Sequence, residues 1–363
     1  MKILHIINDL GIGGAQASLL KLLKYDDCNT HYIVTLKSRG LFLSEYKKYC
    51  HDIFILDLRI YNVIFTFCKI LLMVRKISPD VIQTWLYISD LIGTLLYLIT
   101  PTRKLFWNIR NGTINFKLIS FSSYISAHIC SKLSNVPENI IINSEKAVSE
   151  HVKIGYNRKR FNIIHNGVDI KESHYSISEH DLNRCIVYGS NMRFDKQKGL
   201  TTIFKAIKNL PLDLNITFCF LGTGMSNDND ELIRMLHDFS IHHNVVLYGN
   251  KILPSEFYKK LDFHILASLS EGFPNVIAES MFIGKPNISS TAGESPFIIS
   301  DTGWIFNIGD HTSLTSHIIT SYRLIKTDYE RYIQLCHLAH ERILSKFSLN
   351  KMLKSYQRIW NTR

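Results

Sequence analysis

Phe263-His-Ile-Leu-Ala267, followed by Ser268-Leu-Ser270-Glu271-Gly272-Phe273-Pro274 and then Asn275-Val-Ile-Ala278-Glu279-Ser-Met281, decides how this chain is read. The first run is short, apolar and free of alternation, as expected of a strand buried on both faces. The middle segment is a glycine- and proline-bearing loop, and Pro274-Asn275 opens a helical pattern where proline's fixed φ is pre-organised. Strand, loop and helix in that order form one half of a parallel crossover unit. The loop carries Glu271 and the helix carries Glu279, with seven residues between them, so the two carboxylates point at different parts of one ligand. Carboxylates accept from paired hydroxyls such as those of ribose and sugars. The amides of Phe273, Pro274's neighbours and Asn275 face any anion at that helix end.

The same alternation extends in both directions. Upstream in the same half, Cys185–Tyr188, Ile216–Leu221 and Val245–Tyr248 read as strands, and downstream Pro286–Ser289 and Trp304–Phe306 do so too. Leu200–Leu210 and Asn275–Ile283 read as helices between them, and from His311 the chain reads as helical to its end. In the first half, Ile3–Ile7, Tyr32–Leu36, Ile53–Leu56, Val81–Gln83, Leu105–Asn108, Ile140–Asn143 and Ile163–His165 alternate with helical patterns such as Ala15–Lys24, Val63–Ile77 and Tyr124–Leu133. The polar stretch 169–184 breaks the pattern and reads as a link. The expected fold is therefore α/β, with two doubly wound Rossmann-like domains facing a cleft. The first domain covers 1–168, joined by a helix from about 346–363 crossing back to it; the second covers 185–345. In such sheets ligands bind outside the carboxyl ends of the strands.

Composition narrows the class. The 363 residues are 46% hydrophobic and 20% charged, which suits two packed cores and argues against disorder. The longest apolar stretch, Leu86 to Pro101, contains Asp90 and is shorter than the roughly 20 residues a membrane span needs. The N-terminus does not read as a signal peptide, since Asn8-Asp9 closely follows the first apolar run. Seven scattered cysteines without a Cys-x-x-Cys pair read as buried thiols of a reducing compartment. No metal site is expected. Charge is uneven: residues 1–165 carry 21 lysines and arginines against 11 acids, and residues 166–363 carry 21 against 20. The basic half implies either an anionic partner, such as a membrane surface or lipid-linked phosphate, or a merely solvated basic face. Without a nucleic-acid-binding motif, no nucleic acid is expected.

Two further loops carry phosphate-type chemistry. After the first strand, Asp9-Leu-Gly11-Ile-Gly13-Gly14-Ala15-Gln16 opens a helix whose amides and N-terminus suit a phosphate, although it lacks the third glycine of the dinucleotide fingerprint. After Cys185–Tyr188 comes Gly189-Ser-Asn-Met-Arg193-Phe-Asp-Lys196-Gln-Lys198-Gly199, in which Arg193 offers a fork of donors and Lys198 a mobile charge.

These motifs, together with Gln83-Thr84-Trp85, Asn108-Ile109-Arg110, His165-Asn166-Gly167-Val168-Asp169, Leu221-Gly222-Thr223-Gly224 and Thr291-Ala-Gly293-Glu294, mark a family. Over nearly its whole length the chain resembles retaining glycosyltransferases of the two-Rossmann-domain (GT-B) type, in the large family 4 that includes many lipopolysaccharide and capsule enzymes. The resemblance implies that Glu279 holds the ribose of a nucleotide-sugar donor. It implies that Glu271, Phe273, Pro274 and Asn275 contact the sugar and nearby phosphate, and that Arg193 and Lys198 neutralise the diphosphate. It brings the Gly13-Gly14 loop to the same phosphate and the loops at Gly222 and Gly224 to the base. The implied donor is a UDP-sugar, or else a GDP-sugar, used without metal or other cofactor; the implied acceptor is a lipid-linked oligosaccharide at the inner face of a bacterial cell membrane. Relatives with a similar Gln-Thr-Trp segment often carry histidine where this chain has Ile88, so Trp85, Asp90 and Arg110 are the candidates on the acceptor and sugar side. Ser290 stands where an acid is common. The Ile88 departure also motivates one alternative, a catalytically silent sugar-nucleotide-binding partner; another keeps the fold but changes the reaction, to sugar-nucleotide epimerisation.

Overall fold

The computed structural model describes residues 1–11, 13–37, 43–114, 119–169, 175 and 183–362. Most of the expected link, 170–174 and 176–182, lies outside the described residues, as do Ile12 of the first glycine loop and residues 115–118. The chain divides into two compact units, Met1–Gly167 with Leu349–Arg363, and Val168–Ser348.

Among the described residues the first unit has seven strands: β1 (Lys2–Ile7), β2 (Thr30–Thr35), β3 (Asp52–Ile55), β4 (Val81–Trp85), β5 (Lys104–Ile109), β6 (Asn139–Ile142) and β7 (Phe161–Ile163). They lie in the order β3-β2-β1-β4-β5-β6-β7 and every pair is parallel. Central strands are buried on both faces, which is why their sequences are apolar without alternation. Helices Val63–Ile77, Tyr87–Ile99, Phe121–Leu133 and Glu145–Lys153 cover one face around Leu4, Ile6, Ile82 and Trp107. Helix Gly14–Tyr25 and the returning helix Leu349–Trp360 cover the other, around Ile3, Ile7, Trp85 and Phe106. The return is fixed by polar as well as apolar contacts. Trp360 Nε1 donates to Gln83 Oε1 at 3.0 Å, and Asn108 Nδ2 donates to Tyr356 OH at 2.8 Å. Tyr124–Leu133 was expected as helical; the helix starts earlier, at Phe121, because the Ser120 hydroxyl accepts from the Ser123 amide and caps it.

The second unit has six strands among the described residues: β8 (Ile186–Asn191), β9 (Ile216–Leu221), β10 (Asn244–Gly249), β11 (Phe263–Leu266), β12 (Asn287–Ser290) and β13 (Gly303–Phe306). Their order is β10-β9-β8-β11-β12-β13, again all parallel. Helices Leu200–Lys208, Asp230–Asp238, His311–Thr327 and Tyr329–Lys346 enclose this sheet. The order reverses between β8 and β11, so the loops after these two strands diverge to opposite faces and leave a crevice at their carboxyl ends.

Candidate functional site

The loops after β8, β9, β11 and β12 meet at that reversal point. After β8, the chain runs Met192 to Gly199. Phe194 N donates to Thr223 O at 2.8 Å, tying this loop to the one after β9, and Leu269 N donates to Gln197 O at 2.7 Å, tying it to the one after β11. Ser290 Oγ at the end of β12 donates to Ser268 O at 2.7 Å, and Glu294 N donates to Gly272 O at 3.0 Å. The loops after these four neighbouring strands are thereby stitched into one rim. Two glycines permit the close approach. Gly199 has φ of 67°, and a Cβ there would stand 2.0 Å from the Ala267 carbonyl oxygen; Gly293 has φ of 57°, and its Cβ would stand 2.4 Å from Gly272 O.

On this rim Lys198 Nζ donates to Glu271 Oε1 at 2.7 Å, and Ser268 Oγ donates to the same oxygen at 2.7 Å. The two charged side chains are 23% and 15% exposed, so the pair is sheltered yet reachable from solvent. Glu279, in the second turn of helix Asn275–Phe282, accepts from Tyr258 OH at 3.2 Å; Tyr258 in turn accepts from Asn191 Nδ2 at 2.9 Å. Burial, and secondarily the Glu279 charge, push the Tyr258 hydroxyl well above its ordinary range, so it stays protonated and able to donate. Helix Asn275–Phe282 begins after Pro274 with no side chain capping it. Beneath the rim, His264 is fully buried and is held down to about 4 by burial. It is neutral, with Nδ1 bonded to Asn287 Oδ1 at 2.7 Å and Nε2 accepting from Asn191 N at 3.4 Å.

Arg193 stands differently. Its Nε donates to Asp195 Oδ2 at 3.0 Å on the exposed side of the turn. Burial works against the Asp195 charge, but the Gln197 amide, the Arg193 guanidinium and the Lys198 charge together hold that carboxyl below its usual range. Thus Lys198 and Glu271 meet, Glu279 is fixed through Tyr258 to the end of β8, and Arg193 is engaged with its own loop. Gly222 and Gly224 lie in the loop after β9, with φ of 126° and 79°, packed against Met192 and Phe194. Phe273 and Pro274 are buried, and Asn275 is half-buried at the helix start.

In the first unit, Gly13 and Gly14 open helix Gly14–Tyr25 after β1, again without a side-chain cap, while Asp9 accepts from Gly11 N at 3.0 Å and from Gln16 Nε2 at 2.9 Å. The three residues expected on the acceptor side are interior or engaged. Trp85 is fully buried, its Nε1 donating to His5 Nδ1 at 3.3 Å. Asp90 is fully buried and bonded to the Thr84 hydroxyl. Burial lifts its carboxyl well above the usual range despite Thr84 and the Asn108 backbone, and the residue is held inside the unit. Arg110 donates to Asn166 and Tyr356 and lies over the Trp85 ring at 5.5 Å, bracing the returning helix. The sequence expectation that Trp85 and Asp90 face a ligand is therefore corrected: Trp85 ends β4, a central strand buried on both faces, and Asp90 lies on the buried side of the first turn of helix Tyr87–Ile99. Next to them, Leu86 has φ of 72°, a left-handed conformation costing about 1–3 kcal/mol in a residue with a Cβ. Ile88 is half-buried on helix Tyr87–Ile99 and packs against the core of this unit.

Sequence reasoning did not single out Ser268, Tyr258 or Asn191. Ser268 carried a signal, a hydroxyl three residues before Glu271 in one loop. Tyr258 carried none, because it comes from helix Pro254–Lys259 and reaches Glu279 only through the fold.

Residues 183–323 match the family described as Glycosyl transferases group 1. That stretch contains every member of the rim described above and none of the first unit's loops. The chain is 26% identical over 45% of its length to a Campylobacter jejuni enzyme named N-acetylgalactosamine-N,N'-diacetylbacillosaminyl-diphospho-undecaprenol 4-alpha-N-acetylgalactosaminyltransferase, of which it covers 44%. It is 23% identical over 81% of its length to the capsular polysaccharide biosynthesis glycosyltransferase CapH of Staphylococcus aureus, covering 82% of that protein. The chain spans about half the length of several other curated relatives it matches. Among solved structures, HepE from Anabaena, in complex with UDP and glucose, superposes with a TM-score of 0.82 at 18% identity, covering 99% of both chains. The fold is GT-B.

Proposed function

We propose that this chain is a glycosyltransferase of bacterial surface-glycan assembly that moves a sugar from a nucleotide diphosphate donor, a UDP-sugar in preference to a GDP-sugar, to an acceptor hydroxyl with retention of configuration. The observation that supports the reading is the Lys198–Glu271 pair on the rim at the β8/β11 reversal, which lies with Glu279 and the helix start after Pro274 within the stretch that matches the transferase family. A lipid-linked acceptor is supported by the diphospho-undecaprenol in the name of the Campylobacter relative, and a uridine donor by the UDP in the HepE complex.

The chemistry follows from charge. As the bond between the anomeric carbon and the β-phosphate oxygen breaks, negative charge grows on the departing diphosphate and positive charge on the sugar ring. A lysine held in a sheltered site stabilises the leaving group without reorganising water. Arg193, released from Asp195, adds a second cation. Glu271 accepts from sugar hydroxyls, and Glu279 accepts from the ribose with its free oxygen while Tyr258 holds the other. The acceptor hydroxyl attacks the anomeric carbon from the face the diphosphate leaves, giving up its proton to the departing phosphate.

The test is transfer of radiolabelled sugar from a panel of UDP- and GDP-sugars to a membrane extract. Labelled glycan lipid with the donor's anomeric configuration is the expected product. Nucleotide binding without transfer overturns the enzyme reading in favour of a silent binding module, and a changed sugar nucleotide formed without acceptor points to epimerisation.

A further inference from the structure

The two central strands of the second unit part inside their own sheet. β8 and β11 pair at Tyr188 with Phe263 and at Gly189 with His264, whereas β8 stays paired with β9 as far as Asn191, and β11 with β12 as far as Leu266. Amides along a strand alternate between its two neighbours. Met192 N turns to Leu221 O of β9 at 2.8 Å, and Asn191 N faces β11. Side chains fill in where the ladder stops: Ser190 Oγ donates to Ile265 O at 2.8 Å, and Asn191 N donates to Nε2 of the His264 ring at 3.4 Å. A fully buried imidazole thus stands in for a strand where the crevice opens. An apolar side chain would fill the same space without the cost of burying a polar ring; what histidine adds is a grip on Asn191.

A backbone carbonyl decides which ring nitrogen carries the proton. Asn287 Nδ2 lies 3.0 Å from Lys285 O and 2.9 Å from Ser280 Oγ. A carbonyl only accepts, so the amide nitrogen of Asn287 faces it and Oδ1 faces His264. His264 Nδ1 is then the protonated nitrogen, and Nε2 is bare and accepts from Asn191. Burial keeps the ring neutral, as this pattern requires. Beyond Asn191 the donors are equally fixed: Asn191 Nδ2 donates to the Tyr258 oxygen at 2.9 Å, and the Tyr258 hydroxyl donates to Glu279 Oε2 at 3.2 Å. The Tyr258 ring also meets the imidazole edge-on, with centroids 5.7 Å apart and planes at 75°. Asn191 is therefore held at its backbone by His264 and reaches Glu279 through its side chain.

We propose that His264 is a positioning residue for donor binding: it fixes Asn191 so that Tyr258 holds Glu279 in the orientation that accepts from the ribose. This rests on the reading of Glu279 as the ribose acceptor. The test is calorimetric titration of UDP and UMP, with GDP and GMP as the alternative pair, across a double-mutant cycle. His264→Leu weakens the diphosphate and the monophosphate alike by about fivefold, because both carry the ribose, and has no further effect on affinity in a Tyr258→Phe background. Asn191→Ser, at a half-buried position, cuts the same path beyond the ring and gives the same pattern. His264→Gln, whose carboxamide oxygen accepts from Asn191 N, stays within about twofold of wild type. His264→Leu lowers the urea midpoint equally in both backgrounds, so that stability and affinity separate. Unchanged affinity in His264→Leu or in Asn191→Ser, or a loss that persists undiminished in the Tyr258→Phe background, overturns the proposal and leaves His264 a core residue. Wild-type protein that binds neither UDP nor GDP overturns the donor reading and this inference with it, whereas the other failures leave the donor reading standing.

Discussion

Replacing Lys198 with alanine separates a leaving-group cation from a structural one. The ammonium is 2.7 Å from Glu271 and part-sheltered, so on donor binding it exchanges one charged partner for another without leaving its place. A hydrogen bond to a charged group in such a setting contributes about 1.5–3 kcal/mol, which converts to roughly a ten- to 150-fold change in a binding constant at about 1.4 kcal/mol per decade. Lys198→Ala is therefore expected to weaken UDP by that factor in calorimetric titration. It should leave UMP, which lacks the second phosphate, within about twofold; GDP and GMP replace them should the base be guanine. Raising the salt narrows the wild-type preference for the diphosphate, because the charge is reachable by solvent ions. Glu271→Gln controls for an indirect effect. It keeps an acceptor for the Ser268 hydroxyl but frees the lysine, and so should not reproduce the loss of UDP affinity. Equal losses for UDP and UMP in Lys198→Ala, or the same loss in Glu271→Gln, would refute the assignment and make the pair a loop staple.

Tyr258→Phe removes the donor to Glu279 without changing shape, and should weaken nucleotide binding about five- to tenfold; unchanged affinity by calorimetry would sever Tyr258 from the site. Gly199→Ala forces a side chain into a left-handed conformation against the Ala267 carbonyl, so a stability loss of roughly 3 kcal/mol is expected, and an unshifted urea midpoint would contradict the geometry. His151 and His264 are buried neutral, both held to about 4 chiefly by burial, whereas the unfolded chain titrates near 6.5. The unfolded state thus binds more protons between those values. Stability is full above about pH 6.5 and falls as pH drops toward 4, each histidine costing about 2 kcal/mol by pH 5. A urea midpoint independent of pH over that interval would count against both.

Much of this was legible because buried parallel strands leave a plain trace. The runs from Ile3 to Phe306 named from sequence each overlap an observed strand, and Ile216–Leu221 coincides with β9. Boundaries slipped where hydrogen bonding, not apolarity, ends an element. Ile163–His165 was expected as a strand; β7 is Phe161–Ile163, because Ile164 still pairs its amide with Ile142 O while His165 turns its ring to Asn143 O. In the site, Glu271 and Lys198 were readable since each lies in a loop directly after a strand. The engagement of Arg193 with Asp195 was not, because two adjacent charges in a turn look alike whether they face a ligand or each other. Trp85, at the carboxyl end of β4, and Asp90, in the first turn of the helix that follows, misled for a related reason: an aromatic or acidic residue close to a strand's end looks functional until its depth is known.

The returning helix imposes an order of events on synthesis. Trp360 and Tyr356 complete a core whose other walls, Ile3, Ile7 and Phe106, leave the ribosome far earlier, while everything from Val168 to Ser348 is already made. The part translated first is thus the part finished last, with an open hydrophobic flank throughout elongation. A stop codon after Ser348 would strip that flank permanently while leaving the second unit whole, so such a truncation should yield a chain captured by chaperones that retains a folded second unit.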